Sequence, residues 1–265
     1  MADNSRDFSG TAQYITKTDP TGILTDAAWT MGVWINPDSV AGKGIVHAGS
    51  AGATTRGAYL RITGANKLEC RVSGDFATGG TSIGTGSWIR VGARKAAAGT
   101  SQVYLILNGA DDGNSNTVAP TEITAGDVFQ ASDAIGGLGD GHFNGKMAWL
   151  FWLQGVALSA ANLDAALQDP QSLVTNYGPS GVITANALKI LWPMQCDNAT
   201  EVDKSGVGND GTYTGPPTLG SADGPSPSTA WDPCAAAAAT SDAGVRNGSG
   251  FTTFALKRIV RRYAG

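Results

Sequence analysis

The chain has 265 residues, 37 of them glycine and 11 proline, with 18 basic and 22 acidic side chains and a net charge of −4. Hydrophobic residues make up 42 %, enough for a core, so wholesale disorder is excluded, and the glycine content suits short strands and tight turns better than a helical bundle. Only three acidic residues are glutamates (Glu69, Glu122, Glu201), and the two histidines are His47 and His142, which leaves few parts for catalysis or metal binding.

Period-two alternation begins early and recurs. Trp29, Met31, Val33 and Ile35 lie on one side of a segment that also carries Trp34 on the other, so it reads as a central strand covered on both faces. Ala58, Leu60 and Ile62 alternate with Tyr59, Arg61 and Thr63. Leu68, Cys70 and Val72 alternate with Lys67, Glu69 and Arg71. Ile89, Val91 and Ala93, and then Val103, Leu105 and Leu107, repeat the pattern. Each of these segments offers one apolar and one wet face, as in antiparallel sheets packed on one side. Met147–Leu153 is nearly continuously apolar and predicts a second central strand.

The expected separators are Gly49–Gly52, Gly79-Gly80, Asn108-Gly109, Gly136–Gly141 and Asn144-Gly145. One helix is predicted, with Ser159 as N-cap, Leu163, Ala166 and Leu167 on its apolar face, and Asp169-Pro170 as its end. Ten or more strands and one short helix predict an all-β, two-sheet antiparallel jelly-roll sandwich over residues 1–220.

Cys70 reads as a buried small hydrophobe. Cys196 and Cys234 remain open between a disulfide and two free thiols, and no C-x-x-C spacing suggests zinc. Residues 221–265 form a separate Pro/Ala-rich arm and tail, with Trp231 as an anchoring aromatic and an alanine run at Ala235–Ala239. On a helical wheel Leu256, Ile259, Val260 and Tyr263 fall opposite Lys257, Arg258, Arg261 and Arg262, and Phe251 and Phe254 precede them. The last twenty residues carry five basic and no acidic side chains. The first 245 carry 13 basic and 22 acidic ones, a net −9.

Several stretches together resemble one family. They are Phe8-Ser9-Gly10 with Tyr14-Ile15, Trp29–Asp38, Trp88–Gly92, Tyr104–Gly109, Ile135-Gly136 with Phe143–Met147, and Ala157–Ala161. In order and spacing they are similar to the laminin G-like, concanavalin A-like lectin/glucanase superfamily over residues 8–215. Leu191–Met194 and Asp203–Tyr213 resemble a segment that usually opens such a module; here it follows the body and is expected to complete the same sandwich. The resemblance implies a concanavalin A-like fold with three functional options, namely glycan cleavage, calcium binding and sugar binding.

Glycan-cleaving members need two facing carboxylates on a strand. Glu201-Val202-Asp203 is a partial match with no second glutamate, and it reads as a solvated turn, so no enzyme activity is expected. The oxygen-rich run Asp111–Asn116 reads as a polar hairpin turn. Taken as an EF-hand from Asp112, it has Thr117 where glycine belongs and Ile123 where the bidentate glutamate belongs. Lys146-Met147 replaces the family's acidic residue, so no cofactor is expected, and structural calcium stays open without support from the motif. For sugar binding, the loop residues Asp140, His142 and Asn144 are the candidate ligand set, while the tryptophans outside the arm read as core.

The charge-poor composition, the absence of an apolar signal core in Met1–Gly10 and the basic tail resemble phage structural proteins. The leading expectation is therefore a non-enzymatic virion protein, a capsid decoration protein made in the host cytoplasm without a signal peptide. Its partners would be capsid proteins or neighbouring copies, bound through Trp231, Phe251, Phe254, Leu256, Lys257, Arg258, Ile259, Arg261, Arg262 and Tyr263. The alternative is a carbohydrate-binding module of a tail fibre or baseplate that recognises host polysaccharide. Neither nucleic-acid binding by the sandwich nor membrane insertion is expected.

Overall fold

The alternating segments fold as strands. A computed structural model describes residues 5–23, 25–50, 57–118, 124–132, 140–220, 224–225 and 232–234. Its strands, in chain order, are β1 (Arg6–Ser9), β2 (Tyr14–Thr18), β3 (Trp29–Pro37), β4 (Lys43–Gly49), β5 (Gly57–Ile62), β6 (Lys67–Val72), β7 (Asp75–Ser82), β8 (Ile89–Lys95) and β9 (Ser101–Leu107). They continue with β10 (Ala110–Val118), β11 (Val128–Ala131), β12 (Gly141–His142), β13 (Asn144–Gln154), β14 (Leu188–Trp192), β15 (Thr200–Glu201), β16 (Gly211–Thr214) and β17 (Thr218–Leu219). The helices α1 (Ala160–Gln168) and α2 (Pro170–Tyr177) lie between β13 and β14.

Among the described residues the strands make two sheets. The first is eight-stranded, ordered β10-β9-β8-β3-β13-β1-β17 with β14 paired to β13. The second is nine-stranded, ordered β15-β16-β2-β11-β4-β5-β6-β7 with β12 paired to β4. Pairing is antiparallel except for β12 with β4. The two sheets bury one core between them. Stacked rings hold its centre: Trp29 lies 4.9 Å from Trp152, and Phe129 packs edge-on against Trp152 and Trp192. The late segment supplies strands to both sheets, β14 beside β13 and β16 beside β2.

The continuous apolar run of β13 is explained by a bulge. Trp149 takes φ 56°, a rare conformation for a bulky residue, and the register against β3 shifts between Ala148 and Phe151. Met147, Leu150 and Trp152 consequently face the inter-sheet core, while Ala148, Trp149, Phe151 and Leu153 face a second apolar cluster under the helices. Gly32 and Gly92 are cross-strand neighbours there. A Cβ on Gly32 would meet the Phe151 ring at 2.7 Å, and one on Gly92 would meet Leu163 of α1 at 2.7 Å, so the glycines form the trough into which α1 settles. Trp34 borders this cluster and donates from Nε1 to the Leu167 carbonyl at 2.8 Å.

Several expectations are corrected. Asp169-Pro170 ends α1 but also starts a second helix, because proline at the first helical position gives up only an amide that would be unpaired anyway. Ser159 caps α1 as expected, accepting from the Asn162 amide at 3.2 Å. Asp111–Asn116 is not a turn but lies within β10, bulged and paired to β9. The turn is Asn108-Gly109, with φ 47° and 84°. Gly79-Gly80 runs inside β7, where close packing against Asp112 of β10 leaves no room for a Cβ at Gly79. Asn144-Gly145 opens β13 instead of separating strands.

Glu201 and Asp203 are buried and do not form a solvated turn. Asp203 accepts from the amides of Leu191, Ser205 and Asn209, each at 2.9 Å, and so pegs this loop to β14. Glu201 accepts from the Met194 amide at 2.8 Å and from the Tyr213 hydroxyl. Burial pushes its carboxyl above the usual range, against the pull of those two bonds. Cys196 and Cys234 form a disulfide with their Cα atoms 5.3 Å apart, and Cys70 is a buried free thiol. Residues Met1–Cys234 group as one unit and Ala235–Gly265 as another. Trp231, Phe251, Phe254, Leu256, Lys257, Arg258, Ile259, Arg261, Arg262 and Tyr263 all lie outside the described residues.

Candidate ligand-binding face

Strand register lines up a row of side chains on the outer face of the nine-stranded sheet. The residue pairs are Thr212–Thr16, Thr16–Gln130, Gln130–His47, His47–Tyr59, Tyr59–Arg71 and Arg71–Phe76. The row thus crosses β16, β2, β11, β4, β5, β6 and β7 in turn. Their neighbours along the strands, such as Ile15, Ala131, Val46, Leu60, Cys70 and Ala77, point into the inter-sheet core. The row is polar and aromatic throughout, and its middle is not the wet face expected: His47 is 0 % and Tyr59 2 % exposed. At its end Phe76 is 54 % exposed.

A charged lattice lies beside the row. Arg61 Nη1 donates to both carboxylate oxygens of Asp140 at 2.9 Å, while its Nε donates to Glu69 Oε1 at 2.8 Å. Arg71 Nε reaches the same Glu69 oxygen at 3.0 Å. Thr78 donates to Glu69 Oε2 at 3.3 Å. The Arg71 guanidinium sits 5.3 Å from the centre of the Phe76 ring. One carboxylate, Glu69, therefore serves two guanidinium groups. Burial pushes the Asp140 carboxyl upward, opposed by its bonds to Arg61, and pushes the Tyr59 phenol far above its ordinary range, opposed by Arg71 and Arg61.

Two buried hydroxyls of the row, Thr16 Oγ1 and Tyr59 OH, have no hydrogen-bond partner. Such groups cost free energy when left unmade, on the order of 1–3 kcal/mol each.

The predicted ligand set is only partly brought together. Asp140 joins the lattice. His142 lies on β12, stacks on Tyr14 at 5.7 Å and places Nδ1 2.8 Å from the Ser132 carbonyl, on the same sheet. Asn144 is separated from them. Phe143 is fully buried, and Asn144 pairs with Ser9 in the other sheet. The separation follows from the chain crossing between sheets at this point. Tyr59, Arg61, Glu69, Arg71 and Phe76 were not singled out from sequence as a site. The available signal was the pair of adjacent alternating segments whose polar positions carry opposite charges.

A concavity of about 570 Å³ lies at the sandwich edge formed by β1, β16 and β17 and is lined by Arg6, Asn198 and Tyr213 among others. Arg6 is consumed by structure there: its guanidinium bonds the carbonyls of Cys196, Asn198 and Pro217 and stacks 4.7 Å over Tyr213. Among the described residues no group of three or more His, Cys, Asp or Glu side chains is placed to hold a metal ion. Likewise, no helix among them is long and apolar enough to cross a membrane.

Comparison with known proteins gives the following. A family model described as the Concanavalin A-like lectin/glucanases superfamily matches residues 9–163. No curated protein matches the sequence. Among solved structures, the chain is similar to a Bacteroides ovatus protein described as carbohydrate binding. The TM-score is 0.58 and the identity 19 %, covering 84 % of this chain and 61 % of that one, so this chain spans about three fifths of that protein's length. It is also similar to a heptameric SAP-like pentraxin from Limulus polyphemus, with TM-score 0.53 and 14 % identity, covering 83 % and 95 % of the two chains.

Proposed function

From the premise that this chain belongs to the Concanavalin A-like lectin/glucanases superfamily, we propose that it is a non-catalytic carbohydrate-binding module whose binding face is the outer side of the nine-stranded sheet. The observation that carries this reading is the cross-strand row. Two buried hydroxyls without partners, Thr16 and Tyr59, lie in a row that ends on a half-exposed phenylalanine next to a guanidinium. Sugars are recognised by this combination, with polar groups fixing hydroxyls and a flat apolar ring packing against C–H faces. The shared fold of a Bacteroides ovatus protein described as carbohydrate binding supports the same reading. A non-catalytic role fits the carboxylates. Glu69 and Asp140 are held by arginines, and Glu201 and Asp203 by backbone amides, so none is poised as an acid facing a nucleophile.

The test is a glycan array with the full chain. Saturable binding that falls at least tenfold in Phe76→Ala supports the proposal. No binding to any saccharide, or binding indifferent to Phe76, overturns it.

A second reading is favoured by the charge separation between a −9 body and a +5 tail. On this reading the chain resides in a virion, as a capsid decoration protein or on a tail fibre, and residues 221–265 attach it to capsid or to neighbouring copies. Deleting residues 246–265 then abolishes incorporation into particles. Unchanged occupancy removes this reading and leaves the glycan-binding face untouched.

A further inference from the structure

The charged lattice is asymmetric in how its donors are used. Arg61 is matched on two sides, by both oxygens of Asp140 and by Glu69. Arg71 is matched only through Nε, to the oxygen of Glu69 that Arg61 already holds. Among the described residues its terminal nitrogens have no partner, its side chain is 22 % exposed, and it lies at the open end of the row between Tyr59 and Phe76. The Phe76 ring fixes the plane of the guanidinium from one side. Glu69 and Asp140 are both turned to guanidinium groups, so the lattice of two cations and two anions is neutral overall and Arg71 presents its outer edge away from the Glu69 oxygen bonded at Nε.

A guanidinium edge with free, coplanar N–H groups is shaped for a two-oxygen anion, and such paired bonds are about twice as strong as neutral ones. The half-exposed Phe76 beside it suits the apolar face of a pyranose ring. The unpartnered Tyr59 hydroxyl, 2 % exposed, lies within the electrostatic reach of both Arg61 and Arg71.

Resting on the glycan-binding reading, we infer that the ligand is an acidic saccharide whose carboxylate is gripped by the terminal nitrogens of Arg71 while its ring packs on Phe76. Arg71 thereby sets specificity, rejecting the neutral counterpart by leaving its donors unpaired.

The test is calorimetric titration of the full chain with oligogalacturonate, the uncharged galactose oligomer and a sulfated galactose oligomer, at two salt concentrations. The expected result is at least tenfold tighter binding of the carboxylate form than of the uncharged one, weakening with salt. In Arg71→Gln the preference for the carboxylate form over the uncharged one falls to near unity. Arg71→Lys keeps part of the preference, because it keeps the charge and loses the fork. Thermal melting of both variants within a few degrees of the parent shows that the fold is intact. Equal binding of acidic and uncharged oligomers by the parent chain overturns this inference and leaves the glycan reading standing. Tighter binding of the sulfated form than of the carboxylate form also overturns it. Binding of none of the three overturns this inference, and the glycan reading is then decided by the array alone.

Discussion

The outer side of the eight-stranded sheet carries Trp149, Phe151 and Leu153 beneath α1 and α2, whereas the outer side of the nine-stranded sheet carries His47, Tyr59, Arg61, Glu69 and Arg71. Both sheets contribute to one inter-sheet core, and both have a buried outer face. The first buries most of its face in apolar contacts, which need only shape, with Arg90 and Arg94 of β8 paired at its margin to Asp164, Asp111 and the Leu158 carbonyl. The second buries charges, which need partners at the right distance, and it leaves hydroxyls and one guanidinium edge unspent. A surface completed by hydrophobic packing has nothing left to offer a ligand. A polar surface that is incompletely paired does, and for that reason the proposed binding face is that of the second sheet.

The strongest way to break this contrast is Trp149→Ala. A buried tryptophan under the helices is expected to cost about 4 kcal/mol, measured by urea unfolding. A cost near that of a surface substitution would mean that the helical layer is dispensable. On the other face, Arg61→Ala leaves the Asp140 and Glu69 carboxylates in a nearly dry site and is expected to cost about 3 kcal/mol. The double variant Arg61→Ala with Asp140→Asn should recover part of this loss. Full additivity in the double-mutant cycle would show that the lattice is not coupled.

Smaller effects sharpen the same comparison. Ser159→Ala removes the N-cap of α1 and should cost about 1 kcal/mol without changing ligand binding, because it acts only on the helix-covered side. Asp140 has its carboxyl pushed up in the folded chain, so the folded state holds that proton more tightly than the unfolded one. Its contribution to stability is present below the ordinary aspartate range and is lost as pH rises through the raised folded value. Asp140→Asn should flatten that slope in stability measured against pH, whereas Ser159→Ala should leave it unchanged.

Much of the fold was legible because strand alternation is a local property. Trp29–Ile35, Ala58–Ile62, Leu68–Val72 and Ile89–Ala93 point their apolar residues inward as their spacing requires. Three features were not legible for related reasons. The second helix hides behind Pro170, which ends one helix and begins another equally well. The polar run Asp111–Asn116 has turn composition but is held in a strand by pairing with β9 and by Asp112 packing against Gly79. The burial of Glu201 and Asp203 depends on amides from distant segments such as Leu191 and Met194. Of the candidate ligand loop, Asp140 bonds Arg61 and His142 lies on β12 of the nine-stranded sheet, whereas Asn144 pairs with Ser9 in the other sheet because the chain changes sheets at Phe143.

By itself the sequence determined that the chain would be a β-sandwich with few carboxylates to spare, since alternation, glycine turns and the scarcity of glutamate are written residue by residue. Tertiary structure decided which polar residues stand together. Thr212, Thr16, Gln130, His47, Tyr59, Arg71 and Phe76 come from seven strands and meet only because six strand pairs adopt particular registers. A shift of one residue in any of those pairs would turn that strand's contribution into the core. Register is set by long-range packing, so the face was absent from any local reading of the chain.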